Sequence, residues 1–178
     1  MTIRSLIVVT VFCSFAFSLH LTCGGGPVMP RPISVKGEIL SLAGLEKLRL
    51  RIEFNSNLLD KLGFSVPTTE RRLATMLGES GIDVVDDETS PTLRVRVLVQ
   101  DHPKHPGILN ATYHVTVEQD ARIVRLGKVH RVPTYSFVHG DISTPAELIA
   151  DVDRILVRII HKVTQRVETA NAASAASR

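Results

Sequence analysis

Apolar and polar residues alternate along several stretches of the chain, which is the pattern of strands that are buried on one face only. The clearest stretch runs from Lys47 to Phe54, where Leu48, Leu50 and Ile52 alternate with charged residues. The other predicted strands, in chain order, are residues 82–85, 93–100, 110–125 and 129–138. The last of these contains Pro133, which cannot donate to a strand ladder, so an edge position or a bulge is predicted there.

Two stretches change to the helical period. Leu73 and Leu77 fall on one side of a helix predicted from Glu70 to Ser80, and Gly81 follows where a left-handed residue ends a helix. Ile82 is then expected to fold back onto Leu77, the apolar contact that accompanies such an ending. Leu58 to Ser65 is predicted to be a connector between the first strand and this helix.

The second helix has the strongest pattern. Thr144-Pro145-Ala146-Glu147 has the composition of a capping box, and apolar residues then recur at spacings of three and four from Leu148 to Val167. After Glu168 the tail TANAASAASR offers nothing to bury, so residues 169–178 are predicted to be disordered. The order is β-α-β-β-β-β-α, which predicts an α+β fold: a two-layer sandwich with a mixed four- to five-stranded sheet and two helices on one face.

The first 22 residues read as a secretory signal peptide, because an almost unbroken apolar run from Leu6 to Leu19 follows a positively charged start. A retained N-terminal membrane anchor is the alternative, since Leu21 lengthens the run slightly. Leu19 to Gly24 resembles the lipobox of bacterial lipoproteins, which implies lipidation at Cys23; cleavage after Ser18 is the alternative. Residues 23–36, rich in Gly and Pro, are predicted to be the lipidated N-terminus and a flexible tether. A single α+β domain is predicted over residues 37–168.

Composition narrows the classes of partner. Aromatic residues make up 4% of the chain and there is no Trp, so bases have few platforms on which to stack and no nucleic-acid partner is expected. The formal net charge is only +3, which requires no polyanion but permits one if the charge is concentrated on one face.

Four arginines are candidates for such a face. Arg49, Arg51, Arg94 and Arg96 all lie opposite the buried positions of two predicted strands. If those strands are neighbours, the guanidinium groups gather on the uncovered side of the sheet, where their geometry suits phosphate groups of an anionic lipid. The alternative is an ordinary solvated face that protects the sheet from aggregation.

Catalytic and metal-binding patterns are weak. His102 and His105, with His114 further on, could ligate zinc, but they lie on a proline-rich loop with no paired cysteines. The acidic run Asp86-Asp87-Glu88 lacks the ligand spacing of a calcium loop. No nucleophile elbow or phosphate-cradling glycine loop is present, so a non-catalytic protein without a cofactor is predicted. A secreted metal-dependent enzyme using His102 and His105 is the hypothesis from another class.

Several short motifs between Thr68 and Val167 resemble the lipopolysaccharide-assembly lipoproteins (LptE family) of the Gram-negative outer membrane. They are the helix ending at Gly81-Ile82, the strand Val84-Val85-Asp86-Asp87, the strand entry Pro91-Thr92-Leu93-Arg94 and the opening Ala111-Thr112-Tyr113. The resemblance extends to other periplasmic accessory lipoproteins. Directly after Cys23, the chain has Gly24-Gly25-Gly26-Pro27 where that family has an aromatic or bulky residue and a Leu-Arg pair.

The resemblance implies an exported outer-membrane lipoprotein that faces the periplasm and assists outer-membrane assembly. Its most specific form is lipopolysaccharide transport through docking with a β-barrel translocon, with lipopolysaccharide or an anionic lipid as a further partner. The alternative is an accessory lipoprotein that activates a peptidoglycan synthase or assists a transporter.

Overall fold

The computed structural model describes residues 35–55 and 58–177. The predicted signal peptide, Cys23 and all but the last two residues of the predicted tether lie outside these ranges. Within them, no helix is both long enough and apolar enough to span a membrane.

Five strands and four helices lie in the described ranges. The strands are β1 (Lys47–Phe54), β2 (Asp83–Val84), β3 (Thr92–Asp101), β4 (Leu109–Ile123) and β5 (Lys128–Ser143). The helices are α1 (Gly37–Leu40), α2 (Leu58–Lys61), α3 (Val66–Glu79) and α4 (Leu148–Ala176).

The strands form one mixed sheet in the order β2-β1-β3-β4-β5. β1 runs parallel to β2, because helix α3 carries the chain back from the end of β1 to the start of β2. β1 also runs parallel to β3, which lies on its other side. β3, β4 and β5 follow one another through short connections and are therefore antiparallel. The predicted α+β fold with a mixed sheet is confirmed.

β5 is an edge strand and also carries a bulge, as Pro133 predicted. Val117 faces Tyr135 and Glu118 faces Pro133, so Thr134 has no counterpart on β4. The strand is longer than predicted and continues to Ser143, because residues beyond Val138 keep their pairing with β4.

Apolar side chains from the sheet and the helices meet in one core. Leu48, Val95 and Val115 are fully buried on one face of the sheet. Helix α4 contributes Leu148, Val152, Ile155, Leu156, Ile159, Ile160, Val163, Val167 and Ala170 to the same cluster. Each fully buried aliphatic side chain stabilises the fold by roughly 1.5–3 kcal/mol, so packing against α4 holds the two layers together.

Helix α3 ends as the sequence predicted. The Ile82 N–H donates to the Leu77 carbonyl at 3.0 Å and the Gly81 N–H to the Gly78 carbonyl at 2.9 Å. Gly81 has φ 79°, and Ile82 and Leu77 are both buried. These are the two hydrogen bonds and the apolar contact of a Schellman motif.

Two glycines three residues apart should respond oppositely to alanine. Gly81→Ala is expected to lower the free energy of unfolding by about 1–2 kcal/mol, because the new side chain enters a left-handed backbone. Gly78→Ala, inside the helix with nothing within 4 Å of the new methyl group, should raise it by about 0.5 kcal/mol. Urea unfolding of the two variants measures both effects; a similar result for both would contradict this helix ending.

Two predicted helix starts and one predicted connector were wrong. Helix α3 starts at Val66 rather than Glu70, because Pro67 is tolerated in a first helical turn. The predicted connector before it contains helix α2. Helix α4 itself begins at Leu148, and the predicted capping box does not form. The Thr144 hydroxyl instead donates to the Glu147 carboxylate at 2.9 Å, and the Leu148 N–H donates to the Thr144 carbonyl at 2.9 Å.

The predicted disordered tail is also wrong, since α4 continues to Ala176. Ala170 is fully buried, and the Gly44 N–H donates to the side chain of Asn171 at 2.8 Å. Alanine has the highest helix propensity, and extending an existing helix carries no nucleation cost. The alanine-rich tail therefore prolongs the helix and caps the segment after α1.

Candidate functional site

The four candidate arginines lie on the face of the sheet that the helices leave open. Their neighbours in sequence, such as Leu50 and Val95, point into the core. Because β1 pairs with β3, Arg51 lies directly beside Arg94, and Arg96 lies beside Glu53. The condition on which the sequence prediction depended, that the two strands are neighbours, is met.

A shallow cleft of about 290 Å³ opens on this face. Its lining residues are Arg49, Arg51, Glu53, Glu88, Thr92, Arg94, Glu118 and Arg131. Arg96 is not among them. Four arginines and three glutamates give the lining a formal net charge of +1. The cleft is therefore a mixed-charge surface rather than a purely basic one.

Arg49 holds the loop that follows β2. Its guanidinium lies 3.1 Å from the Asp86 carboxylate and 3.3 Å from the Glu88 carboxylate, and only 17% of its side chain is exposed. Its Nε is buried without a hydrogen-bond partner among the described residues. Arg49 is thus committed to the protein itself and has little capacity for a ligand.

Arg94 is held between two carboxylates. Its guanidinium lies 3.3 Å from Glu53 and 3.1 Å from Glu118, and the Arg96 Nε also lies 3.3 Å from Glu53. The Arg94 Nε nevertheless has no hydrogen bond of acceptable geometry, so its contact with Glu53 is an ion pair only. These carboxylates cancel much of the positive charge and fix the direction of the Arg94 fork.

Arg131 was missed by the sequence analysis. Its guanidinium donates to the carbonyls of Glu88 and Ser90, which fastens the same loop from the opposite edge of the sheet. The sequence pattern did not reveal Arg131, because the extra residue at the Thr134 bulge reverses which positions of β5 face outward. Alternation alone therefore assigns Arg131 to the wrong face.

The acidic run in this loop is bonded within itself. Asp87 accepts from the Thr89 hydroxyl at 2.6 Å, the Thr89 N–H at 3.0 Å and the Ser90 hydroxyl at 3.0 Å. These bonds, the Thr89 hydroxyl first, hold the pKa of Asp87 below its usual value. No group of three or more metal-ligating side chains is found in residues 35–55 and 58–177.

Arg51 differs from the other arginines. It is exposed, and it forms no ion pair with any residue that the structure describes. The register places it in one row with Arg94, Thr116 and Ser136, on four adjacent strands. Two guanidinium groups and two hydroxyls are all hydrogen-bond donors, and together they suit a phosphate or carboxylate.

A second polar cluster joins β5 to helix α4. The Ser143 hydroxyl donates to Asp151 at 2.7 Å, and Arg154 lies 2.6 Å from Asp151 and 3.4 Å from Asp141. The Ser143 hydroxyl and then Arg154 lower the pKa of Asp151. Nearby, burial raises the pKa of Tyr113, whose hydroxyl has no partner in the described part of the chain. The cluster positions the start of the helix.

The histidines considered for zinc do not converge. The rings of His102 and His105 lie 4.7 Å apart in the loop between β3 and β4, and the His102 Nδ1 accepts from the Lys104 N–H at 3.2 Å. His114 lies on the open face of the sheet beside Arg96. The loop pair and His114 therefore lie on different elements.

Comparison with known proteins gives only weak structural similarity. No protein-family model matches the chain, and no curated protein does. A minor lipoprotein from Acinetobacter baumannii aligns with a TM-score of 0.40 and 13% identity, covering 71% of this chain and 93% of its own. A neuraminyllactose-binding hemagglutinin homolog from Helicobacter pylori aligns with a TM-score of 0.42 and 12% identity, covering 82% and 96%.

At these values neither similarity indicates a function for this chain. The structural neighbours thus include a bacterial lipoprotein, and the resemblance to the LptE family stays a prediction.

Proposed function

We propose that this protein is an exported, non-catalytic lipoprotein of the outer membrane that binds the phosphate groups of an anionic glycolipid on the open face of its sheet. The observation that carries this proposal is the guanidinium of Arg51, which lies beside Arg94 and forms no ion pair with any described residue. A guanidinium fork matches phosphate geometry and stays charged at every physiological pH.

The ion pairs around Arg51 make the site selective rather than merely basic. Arg94 is oriented in advance by Glu53 and Glu118, so little conformational freedom is lost when a ligand binds. The same carboxylates repel anions that do not reach the Arg51 fork. Thr116 and Ser136 supply further donors along the row.

The proposed membrane anchor is inferred from the sequence. An apolar run followed by Cys23 supports lipidation there, and acyl chains would keep the domain close to its ligand without any further contact. The mass of the mature N-terminus separates the two alternatives. An acylated Cys23 supports the anchor, and a chain that begins at Leu19 contradicts it.

The finer role follows from the resemblance to the LptE family. In that role the domain docks with the β-barrel lipopolysaccharide translocon and assists outer-membrane assembly, and activation of a peptidoglycan synthase or assistance to a transporter is the alternative. A crosslinked pull-down from native membranes distinguishes them. A large outer-membrane barrel supports the first role, and a synthase or a transporter replaces it.

Removal of the Arg51 guanidinium is the direct test of the binding site. Arg51→Gln should weaken binding of the full chain to phosphatidylcholine vesicles that contain lipid A by about tenfold, the value of one charged hydrogen-bonded contact. Vesicle flotation at several salt concentrations measures it. Stability should be unchanged, because Arg51 forms no ion pair in the described chain.

Arg71→Gln is the matched control, since it removes the same charge from an exposed position on helix α3. It should leave vesicle binding within about twofold of the unaltered chain. Equal losses in both variants would reduce the interaction to non-specific charge attraction. Binding to vesicles without lipid A would also contradict the proposal.

A further inference from the structure

The second half of β5, residues 136–142, forms a sheet edge that no strand of the described residues covers. Along the first half, Pro133, the bulge and charged residues such as Lys128 obstruct strand pairing. The opposite edge is also protected from strand pairing, because β2 has only two residues and the Ile52 N–H beyond it donates to the Glu70 carboxylate at 3.2 Å. Residues 136–142 contain no proline, lysine or bulge.

The backbone groups of the even-numbered residues in this segment face outward. Asn55 donates to the Val97 carbonyl, so odd-numbered residues of β3 face β1 and even-numbered ones face β4. The register carried across β4 then turns the odd residues of this part of β5 toward β4. The Ile142 N–H supports this orientation, since it donates to the Asp141 side chain at 3.1 Å and not to β4. The N–H and C=O groups of Ser136, Val138 and Gly140 are therefore left for another strand.

The two sides of this edge differ in chemistry. On the open face, Val138 and Ile142 are 60% and 62% exposed. On the helix side, four basic residues recur every fourth position along α4: Arg154, Arg158, Lys162 and Arg166.

These basic residues run beside β5. Arg154 pairs with Asp141, the Lys162 Nζ lies 4.0 Å from the centre of the Phe137 ring, and the Arg166 guanidinium lies near the Tyr135 hydroxyl. Helix and strand are thus antiparallel neighbours, and exposed Arg158 falls between the first two contacts. A strand added to β5 would have one face against apolar side chains and the other against cations.

We propose that residues 136–142 bind an extended segment of a partner protein in which acidic and apolar residues alternate. Its backbone extends the sheet, its apolar side chains cover Val138 and Ile142, and its carboxylates reach Arg158 and Lys162. A second copy of this chain fits less well, because its own basic helix face would meet an identical one across the edge. This site is separate from the Arg51 row.

The edge amide of Gly140 provides the test. Its N–H points away from β4, so proline removes the donor without breaking the existing ladder, and a Cβ added at this position would meet nothing within 4 Å. The probe is a fluorescent nine-residue peptide of alternating glutamate and valine, and its affinity for the full chain is measured by anisotropy. Gly140→Pro should weaken binding at least tenfold, and Gly140→Ala, which keeps the N–H, less than about twofold.

Charge is tested separately. Replacing both Arg158 and Lys162 with glutamine should weaken peptide binding about tenfold and reduce its dependence on salt, whereas Arg51→Gln should leave it unchanged. A peptide with lysine in place of glutamate should not bind. Equal binding of the two peptides, or no effect of Gly140→Pro, would overturn the proposal. Self-association without peptide that Gly140→Pro abolishes would overturn it in favour of a second copy.

Discussion

Replacing Leu156 with alanine is expected to lower the free energy of unfolding by about 3 kcal/mol, and the melting temperature by roughly 10 °C. Leu156 lies in the first third of helix α4 and is fully buried in the core. Alanine has the better helix propensity, so the whole loss comes from packing between the helix and the rest of the core. Urea unfolding followed by circular dichroism measures the effect.

Leu126→Ala is the matched control. It deletes the same atoms from a side chain that is 53% exposed, in the turn between β4 and β5, so a change within about 0.5 kcal/mol is expected. If Leu156→Ala cost less than about 1 kcal/mol, helix α4 could not provide the second layer of the sandwich.

Reversing the charge at Arg94 should lower the free energy of unfolding by about 2 kcal/mol. Arg94→Glu removes two ion pairs, with Glu53 and Glu118, and places a third carboxylate between them. Each gained or lost interaction is partly screened, because 35% of the Arg94 side chain is exposed. Denaturant unfolding at low salt and at about 1 M salt, where screening is nearly complete, should show the loss shrinking.

Arg51→Glu is the control for this prediction, since Arg51 occupies the neighbouring register position without an ion pair in the described chain. A new glutamate there faces Arg94, so stability should change by less than about 0.5 kcal/mol. Equal destabilisation by the two reversals would mean that the ion pairs of Arg94 contribute nothing.

The two arginines therefore have different uses. Arg94 contributes to the stability of the sheet, so an Arg94 variant could lose lipid binding either through a lost contact or through unfolding. Arg51 can be changed without that cost, which makes it the informative residue for the proposed glycolipid site.

Much of the fold could be predicted because local patterns and tertiary packing agree. The alternation from Lys47 to Phe54 predicts a strand buried on one face, and the structure has that strand. The glycine at position 81 predicts a left-handed helix end, which the structure also has. The helix boundaries were harder. Val66 and the alanine-rich tail gain their helical state from contacts and from an adjoining helix, neither of which is visible in a short window.

The candidate site could be predicted only in part. Strand parity placed Arg49, Arg51, Arg94 and Arg96 on the open face. It could not reveal Arg131, because a one-residue bulge reverses the parity of β5. Nor could it distinguish Arg51 from Arg94, since their difference lies in carboxylates brought from β1 and β4 by pairing.

The sequence by itself determined which side of β1, β3 and β4 is buried, which side of them carries charge and where helix α3 ends, because these depend on a period of two residues and on one glycine. The tertiary structure decided which strands are neighbours, which arginines are neutralised and which sheet edge the described residues leave open. Those properties depend on contacts between segments far apart in the chain, and a local pattern carries no information about its partner.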